Sequence, residues 1–542
     1  MTNKNILLIE PGYRNKYPPL GLMKIAQYHG PYNKRDNVVF VKGENPLAYE
    51  TVWDRIYITT LFSFEWNRTA RSIDYALDLV GGQAHRVFVG GIAASLMHDK
   101  FINEPRWSGV RFIKGLLGKA PAISLGLDPF EEEFYADDVN GKPIEDLVPD
   151  YSILDQISYQ YPVNDAYFTY ASRGCVRKCA FCGVPKLEGL QRDTNSLSEV
   201  VEGVSNLYGE KRDLILMDNN VVASANFKEI ISEIIDLGFY RGAKLKRGRY
   251  ELQRRVDFNQ GVDARILCKD PMYLQQLSRI AIKPLRIAFD HLGVKKPYER
   301  AIRYSADAGL TELSNYMLYN FHDSPADLFE RMNLNVLLNE ELGIRIFSFP
   351  MRYQPVTRPD RKHIGKNWNS YFLRSMQVIL QATHGIVSGS PEFFRVAFGN
   401  NYDEYESILL RPHHYIFNRH WYEQYGGRPE FESFQKAISV LTTGERNQLL
   451  EYLCSRNNTE YAQGLNELAV GRLRDAGKFF VPIHKEEEVK IWEKQKLRRL
   501  ENKNAYLVPD DERVEDAGLT DEDVQFDWEA QKNITNIKHA SA

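Results

Sequence analysis

Tyr170-Ala171-Ser172-Arg173-Gly174-Cys175-Val176-Arg177-Lys178-Cys179-Ala180-Phe181-Cys182-Gly183 is the stretch on which the reading of the chain turns. Three of the five cysteines fall inside eight residues, in the order C-x3-C-x2-C. Thiolates that dense suit a soft metal centre. A structural zinc site draws four ligands, usually as two separated pairs, and no second pair occurs in this chain. Three thiolates on one loop can instead hold three irons of a 4Fe–4S cube. The fourth iron is then open to a small chelating molecule, unlike the four-cysteine clusters of electron carriers. A reduced, buried cysteine cluster or an adventitious metal site is the plainer alternative.

With Phe181 just before the last cysteine, this spacing resembles the signature of the radical S-adenosylmethionine superfamily. The resemblance implies a 4Fe–4S cluster on Cys175, Cys179 and Cys182, with S-adenosylmethionine chelating the open iron through its amino and carboxylate groups. It implies reductive cleavage to methionine and a 5′-deoxyadenosyl radical, which modifies a substrate by hydrogen abstraction or radical methylation. A reductant such as flavodoxin or ferredoxin would be the partner. Two readings from other classes stand beside it: an iron–sulfur electron-transfer or redox-sensing protein, and a zinc-binding scaffold.

Composition sets the outer limits. A chain of 542 residues is too long for one core, and about two to four domains are expected. Hydrophobic and charged contents of 43% and 26% are ordinary for a soluble protein. A formal charge of -3 argues against general binding to polyanions. No apolar run reaches membrane-spanning length, and Met1-Thr2-Asn3-Lys4-Asn5 leads into a strand rather than a signal peptide. Cys268 and Cys454 show no pairing pattern, so the cysteine usage fits a reducing cytoplasm.

Upstream, Asn5–Glu10, Asn37–Val41, Arg55–Leu61 and Arg86–Gly91 read as strands, with helices over Leu22–Tyr28 and Ala70–Val80. That alternation predicts an α/β region with a doubly wound parallel sheet over residues 1–127, its ligand face at the carboxyl ends of the strands. Pro18-Pro19-Leu20-Gly21-Leu22 and Val89-Gly90-Gly91 look like the Rossmann-type cobalamin-binding domain that precedes many radical S-adenosylmethionine domains. Members that ligate cobalt from below carry Asp-x-His-x-x-Gly after the first strand. Here Glu10-Pro11-Gly12-Tyr13-Arg14-Asn15-Lys16 has no histidine. Either cobalamin binds without that ligand, or the fold serves as a docking module. Residues 128–165 are acidic and proline-punctuated, a linker expected to wrap both neighbours.

Residues 166–355 alternate strands and helices: strands over Tyr167–Ala171, Leu214–Met217, Arg255–Phe258, Leu285–Asp290, Asn315–Asn320 and Ile344–Pro350. Six such units predict an open, partial (β/α)6 barrel, which is also the fold the resemblance implies. Polar residues gather at the strand ends. Asp218, Asn219 and Asn220 stand where relatives place a Gly-Gly-Glu motif for the amino group of S-adenosylmethionine. Asp263 and Arg265, within Asn259-Gln260-Gly261-Val262-Asp263-Ala264-Arg265, suit ribose hydroxyls and the methionine carboxylate. Asp290 and His291, Asn320, and Arg352 with Tyr353 follow the later strands. The cofactor-binding residues expected are thus Phe181, Asp218, Asn219, Asn220, Asp263, Arg265 and Asp290. Each could equally be a capping or loop-satisfying group.

Arg177 and Lys178 either offset the charge of a thiolate cluster or form a solvated pair. The basic run Lys244-Leu245-Lys246-Arg247-Gly248-Arg249-Tyr250, with Arg254 and Arg255, reads as a solvated loop rather than an RNA contact, so nucleic acid is not indicated. Residues 356–484 read as an aromatic-rich helical domain, in which the adjacent His413 and His414 point to different faces and imply no metal site. A charged helix and acidic tail are expected over 485–542.

Overall fold

The computed structural model describes residues 3–117, 143–194, 196–387, 389–457 and 460–481. The acidic stretch around Asp128 to Phe134 and the segment 485–542 lie outside the described residues. The chain forms two compact units. The first takes in Met1–Phe289, Gly293–Tyr316 and Tyr353–His363, the second Asp290–Leu292, Met317–Arg352 and Ile364–Ala542. Among the described residues no helix is long and apolar enough to cross a membrane.

The first unit opens with a five-stranded parallel sheet in the order β2-β1-β3-β4-β5. Its strands are β1 (Asn5–Glu10), β2 (Asn37–Lys42), β3 (Arg55–Thr60), β4 (Val87–Gly91) and β5 (Arg111–Phe112). Ile6, Leu7, Leu8 and Ile9 are each 0% exposed, as a central strand covered on both faces requires. The helices Leu20–His29 and Trp66–Leu79 connect the strands. One face packs Trp53, Ile56, Ile58, Ile73, Val89 and Trp107 together. The two-residue β5 escapes sequence reading because it is too short to show a period. Gly91 has a direct steric cause: at φ +102° its Cβ would lie 2.4 Å from the Thr60 carbonyl oxygen on β3.

After it come β6 (Ala166–Thr169), β9 (Asp213–Leu216) and β12 (Arg255–Phe258), parallel in the order β12-β9-β6. The helix Phe227–Asp236 buries Phe227, Ile230, Ile231 and Ile234, the stripe expected of a helix lying on a sheet. Single parallel bridges, Val256 to Ile282 and Val262 to Ile287, carry the pairing onward towards β13 (Leu285–Arg286), which is parallel to β14 (Glu312–Tyr319). Two shorter pairs are antiparallel: β7 (Ser172–Arg173) with β8 (Arg192–Asp193), and β10 (Lys244–Arg247) with β11 (Tyr250–Gln253). The last pair replaces the loop expected over the basic run. Gly248, at φ +62°, makes the turn. Arg247 pairs with Asp165 at 2.9 Å and Lys244 with Glu251 at 2.9 Å, so carboxylates of the same chain take up these charges.

Among its described residues the second unit contains the end of β14 from Met317 and β15 (Arg345–Arg352), and beyond Pro355 its elements are helices rich in aromatic residues, as the composition there predicts. Its longest helix among the described residues, Pro325–Leu342, starts at a capping box of Ser324 and Asp327 and ends at Gly343 in the left-handed conformation. On that helix Arg331, fully buried, donates to the carbonyls of Asp290 at 3.1 Å and Leu318 at 2.8 Å and pairs with Asp323 at 2.9 Å.

Within the first unit, Asp257 on β12 and Arg286 on β13 make a buried bidentate pair with both contacts at 2.8 Å. Replacing Arg286 by Met leaves a buried carboxylate with no cation. The expected cost is about 3–5 kcal/mol of stability, measured by chemical denaturation. A loss below about 1 kcal/mol would mean that the pair does not hold these strands together.

Candidate cluster and cofactor site

β6 ends at Thr169, and the next turn brings the chain into the cysteine loop. Asp218, at the carboxyl end of the adjacent β9 and 1% exposed, lies beneath that turn. Its carboxylate accepts from the backbone of Ala171 at 2.9 Å and of Ser172 at 2.5 Å, and from the Ser172 hydroxyl at 2.7 Å. Burial pushes its carboxyl up to about 6 from an ordinary 3.8, with the hydrogen bonds from Ser172 and Ala171 pulling the other way.

The returning chain clamps the loop from the far side. The backbone of Cys175 donates to the Gly189 carbonyl at 3.3 Å, and that of Thr194 to Ala171 at 3.1 Å. Gly174, at φ +78°, could carry no side chain, since a Cβ would lie 2.3 Å from the Leu190 carbonyl oxygen. Glu188 accepts from the Gly174 backbone at 2.8 Å and from the Asn219 side chain at 2.9 Å. At the other end of the loop, a Cβ on Gly183 would lie 2.8 Å from Leu96 Cδ1, so the loop packs on the short helix Ile92–Leu96 that follows β4.

Each of the three sulfurs meets a hydrogen-bond donor. The backbone N–H of Arg177 donates to Cys175 Sγ at 3.4 Å, and that of Val184 to Cys182 Sγ at 3.4 Å. Arg265 reaches the third, Cys179. Arg265 is held in turn by Asp263, which accepts from its Nε at 2.7 Å and its backbone N–H at 2.9 Å. The other oxygen of Asp263 accepts from Arg177 Nε at 2.7 Å. Burial raises the Asp263 carboxyl, but hydrogen bonds from Arg265 and Arg177 hold it below its ordinary value. Burial works against the charge of Arg265, yet Asp263 and the Cys179 thiol keep its pKa above the ordinary one.

Of the residues expected from sequence, Cys175, Cys179, Cys182, Phe181, Asp218, Asn219, Asn220, Asp263 and Arg265 share the first unit, and the hydrogen bonds above knit most of them around one loop. The polar side chains bond chiefly to one another: Asp263 caps the helix Ala264–Leu267, and Asn220 Oδ1 accepts from the Asp263 backbone at 3.3 Å. Asp290 belongs to the second unit, where its carbonyl receives Arg331. Also in that unit, the fully buried Asn320 accepts from the Gly365 backbone at 2.7 Å, a turn-holding role. Glu188 and Gln191 carry no signal in the sequence. They follow the last cysteine in a short segment with no periodicity, and only the pairing of β7 with β8 folds them back onto the loop.

Among the described residues no three or more His, Cys, Asp or Glu are placed to hold a single metal ion. A 4Fe–4S cube takes one thiolate per iron, so its ligand sulfurs need not converge on one centre. Donors aimed at every sulfur fit such a group, because they offset thiolate charge. The loop also borders buried amide atoms without hydrogen-bond partners, Asn220 Nδ2 and Gln191 Oε1, while Arg173 Nε faces Glu188 at 3.5 Å.

No protein-family model and no curated protein matches the chain. Among solved structures, it overlaps the radical S-adenosylmethionine methyltransferase TsrM from Kitasatospora setae, with cobalamin and a [4Fe-4S] cluster bound, at TM-score 0.43 and 13% identity over 66% of this chain and 77% of that one. It overlaps the cobalamin-dependent S-adenosylmethionine radical enzyme OxsB at TM-score 0.42 and 12% identity, over 95% of this chain and 82% of that one. SuiB from Streptococcus suis, bound to S-adenosylmethionine, follows at TM-score 0.26 and 14% identity, over 40% and 47%. Overlaps this loose say nothing of what this chain binds or does.

Asp218 gives the site a pH signature. Its folded pKa of about 6 lies above the ordinary 3.8 that it takes when unfolded. The folded chain therefore binds this proton more tightly, and the group's stabilising contribution, complete below the unfolded value, is lost as pH rises through the folded one. In Asp218→Asn, uncharged throughout, the slope of stability against pH between about 4 and 6 should lack this component. Thermal unfolding of both proteins across that range measures it, and identical slopes would exclude Asp218 as the titrating group.

Proposed function

We propose that the chain is a radical S-adenosylmethionine enzyme in which Cys175, Cys179 and Cys182 hold a 4Fe–4S cluster and the cofactor binds over the carboxyl ends of β6, β9 and β12. The observation that carries this reading is the C-x3-C-x2-C loop with a donor at every sulfur, seated where parallel strands end. On this reading β6, β9, β12, β13, β14 and β15 are the strands of a partial (β/α)6 barrel. When bound, such a cluster supplies the electron that cleaves the sulfonium of S-adenosylmethionine to methionine and a 5′-deoxyadenosyl radical.

The chain's own residues have separate tasks. Arg177 and Arg265, clasped by Asp263, place two guanidinium groups beside the cysteine loop, where they lower the cost of its negative charge. Asp218 fixes the loop to β9. The substrate is modified by hydrogen abstraction or methylation, and a flavodoxin- or ferredoxin-type protein delivers the electron. An oxygen-sensitive cluster places the enzyme in a reducing compartment such as the cytoplasm.

Anaerobic purification tests the centre of the proposal. The expected result is a brown protein containing iron and sulfide that cleaves added S-adenosylmethionine. Cys179→Ala should lose most of its iron and all cleavage, whereas Cys268→Ala and Cys454→Ala should retain both. Zinc in place of iron, or a cluster that never cleaves S-adenosylmethionine, would turn the assignment to a scaffold or an electron carrier.

The five-stranded sheet is proposed to take cobalamin with no protein imidazole beneath the cobalt. The loop after β1 has no histidine. His29 is committed through both ring nitrogens, to Asp36 at 2.8 Å and Tyr57 at 3.0 Å. His98 Nε2 lies 3.1 Å from the Phe112 carbonyl. In protein reconstituted with hydroxocobalamin and reduced, any axial nitrogen splitting in the paramagnetic resonance spectrum should come from the cofactor's own base and be unchanged in His29→Ala and His98→Ala. Splitting that disappears in His29→Ala would overturn this, and no retention of cobalamin would favour a docking role for the domain.

A further inference from the structure

The strand order β2-β1-β3-β4-β5 means that the chain leaves β1 towards one edge of the sheet and comes back on its other side with β3. Sheets wound this way hold ligands in the crevice at that reversal, outside the carboxyl ends of the two strands. Three aromatic residues stand there. Tyr13 follows β1, and its hydroxyl lies 2.6 Å from the Thr69 hydroxyl. Phe62 and Phe64 follow β3. Phe62 meets the Tyr13 ring edge-on at 6.2 Å, and Phe64 stacks on Phe62 at 5.0 Å and 14°. Both phenylalanines are half-buried, so the stack presents a ring face instead of disappearing into the core.

Another part of the chain takes that face. Tyr353–His363, which follow β15 in sequence and belong to the first unit, bring Arg361 over Phe64, with the guanidinium carbon 3.8 Å from the ring centre. Arg361 lies 3.9 Å from Glu65, too far for a hydrogen bond, and Glu65 is paired with Arg68 at 3.0 Å. A guanidinium is planar and settles on aromatic faces, so it fills the position that a flat ligand would take.

The segment carrying Arg361 closes on itself. Gln354 donates to the Arg361 carbonyl at 3.1 Å and accepts from the His363 backbone at 3.4 Å, and the Tyr353 and His363 rings meet edge-on at 5.1 Å. At its tip, Asp360 accepts from the Lys362 backbone at 2.9 Å and pairs with Arg358 at 3.0 Å. A surface loop held at the neck by its own side chains keeps its shape when it moves. None of the residues 353–363 is buried, so lifting them uncovers no core. Segments of that kind open at low cost.

We propose that residues 353–363 are a gate over the β1/β3 crevice, with Arg361 resting on Phe64 in the place of the incoming ligand. The ligand-free protein thereby holds its own site shut, and a ligand enters only by displacing the guanidinium. The inference rests on the cobalamin reading of the five-stranded sheet and adds to it what controls entry.

The test is hydroxocobalamin binding to the anaerobically purified full chain, followed by rapid-mixing absorbance in the parent and in Arg361→Ala. With the competing cation removed, association should quicken roughly two- to thirtyfold, the range for a cation–π contact. Dissociation should keep its rate. Affinity should then tighten by the same factor, because more of the protein is competent to bind. Hydrogen exchange supplies a readout that needs no variant: adding hydroxocobalamin to the parent should speed exchange of the backbone amides between 353 and 363. Weaker binding by Arg361→Ala overturns the gate, since the guanidinium would then be a ligand contact. Slower exchange in the segment overturns it too, by showing that the segment closes on the ligand, as do equal association rates in the two proteins. A chain that takes up no hydroxocobalamin, with or without Arg361, brings down the cobalamin reading itself.

Discussion

A single buried carboxylate governs the geometry of the cysteine loop. Asp218 takes two backbone N–H groups and one hydroxyl from Ala171 and Ser172, just where the chain leaves β6. Those donors would otherwise be buried without partners, because the turn no longer belongs to the sheet ladder. Fixing them to β9 aims the chain into the loop at a defined angle. The burial that makes this anchor strong also raises its pKa. The loop is therefore positioned by a group whose charge depends on the same shielding that holds it.

Around that anchor the loop is over-determined. Gly174 is pressed against the Leu190 carbonyl, and Gly183 against Leu96 from the helix after β4. One contact comes from the chain that follows the loop, the other from the five-stranded sheet's own helix. The five-stranded sheet and the β12-β9-β6 sheet are joined elsewhere by Tyr17, whose hydroxyl donates to Asn259 beyond β12 at 2.6 Å. Tyr17 comes from the segment after β1 that could have carried a cobalt ligand. Its neighbours are likewise committed: Glu10 receives Asn15 at 2.6 Å, Lys42 at 2.7 Å and the Tyr161 hydroxyl. Buried charges paired this fully specify one arrangement of loop and sheet.

The polar residues near the sulfurs divide into those that finish one another and those left incomplete. Asp263 spends both oxygens on Arg177 and Arg265, so its first task is to hold two cations beside the loop. Asn219 is taken by Glu188. Asn220 and Gln191 are each one hydrogen bond short.

How much of this was legible before folding differs from element to element. The cysteine spacing, the apolar runs of β1, β3 and β4, and the isoleucine stripe of Phe227–Asp236 are local patterns, so they determined cluster chemistry, parallel sheet and covering helix from sequence alone. The polar residues after β9 and β12 were also readable as strand-end groups. Which of them cap, which clasp and which are left unsatisfied depends on distances between segments far apart in the chain, such as Arg177 and Asp263, 86 residues apart. The same is true of Glu188 and Gln191, brought to the loop by a two-residue antiparallel pairing too short to leave a period. The basic run could not be told from a loop, because its alternation is brief and its turn depends on one glycine. Sequence determined the kind of chemistry because thiolate spacing and hydrophobic period are properties of neighbouring residues. Tertiary structure decided which side chains serve it, because hydrogen-bond satisfaction is settled only when distant segments meet.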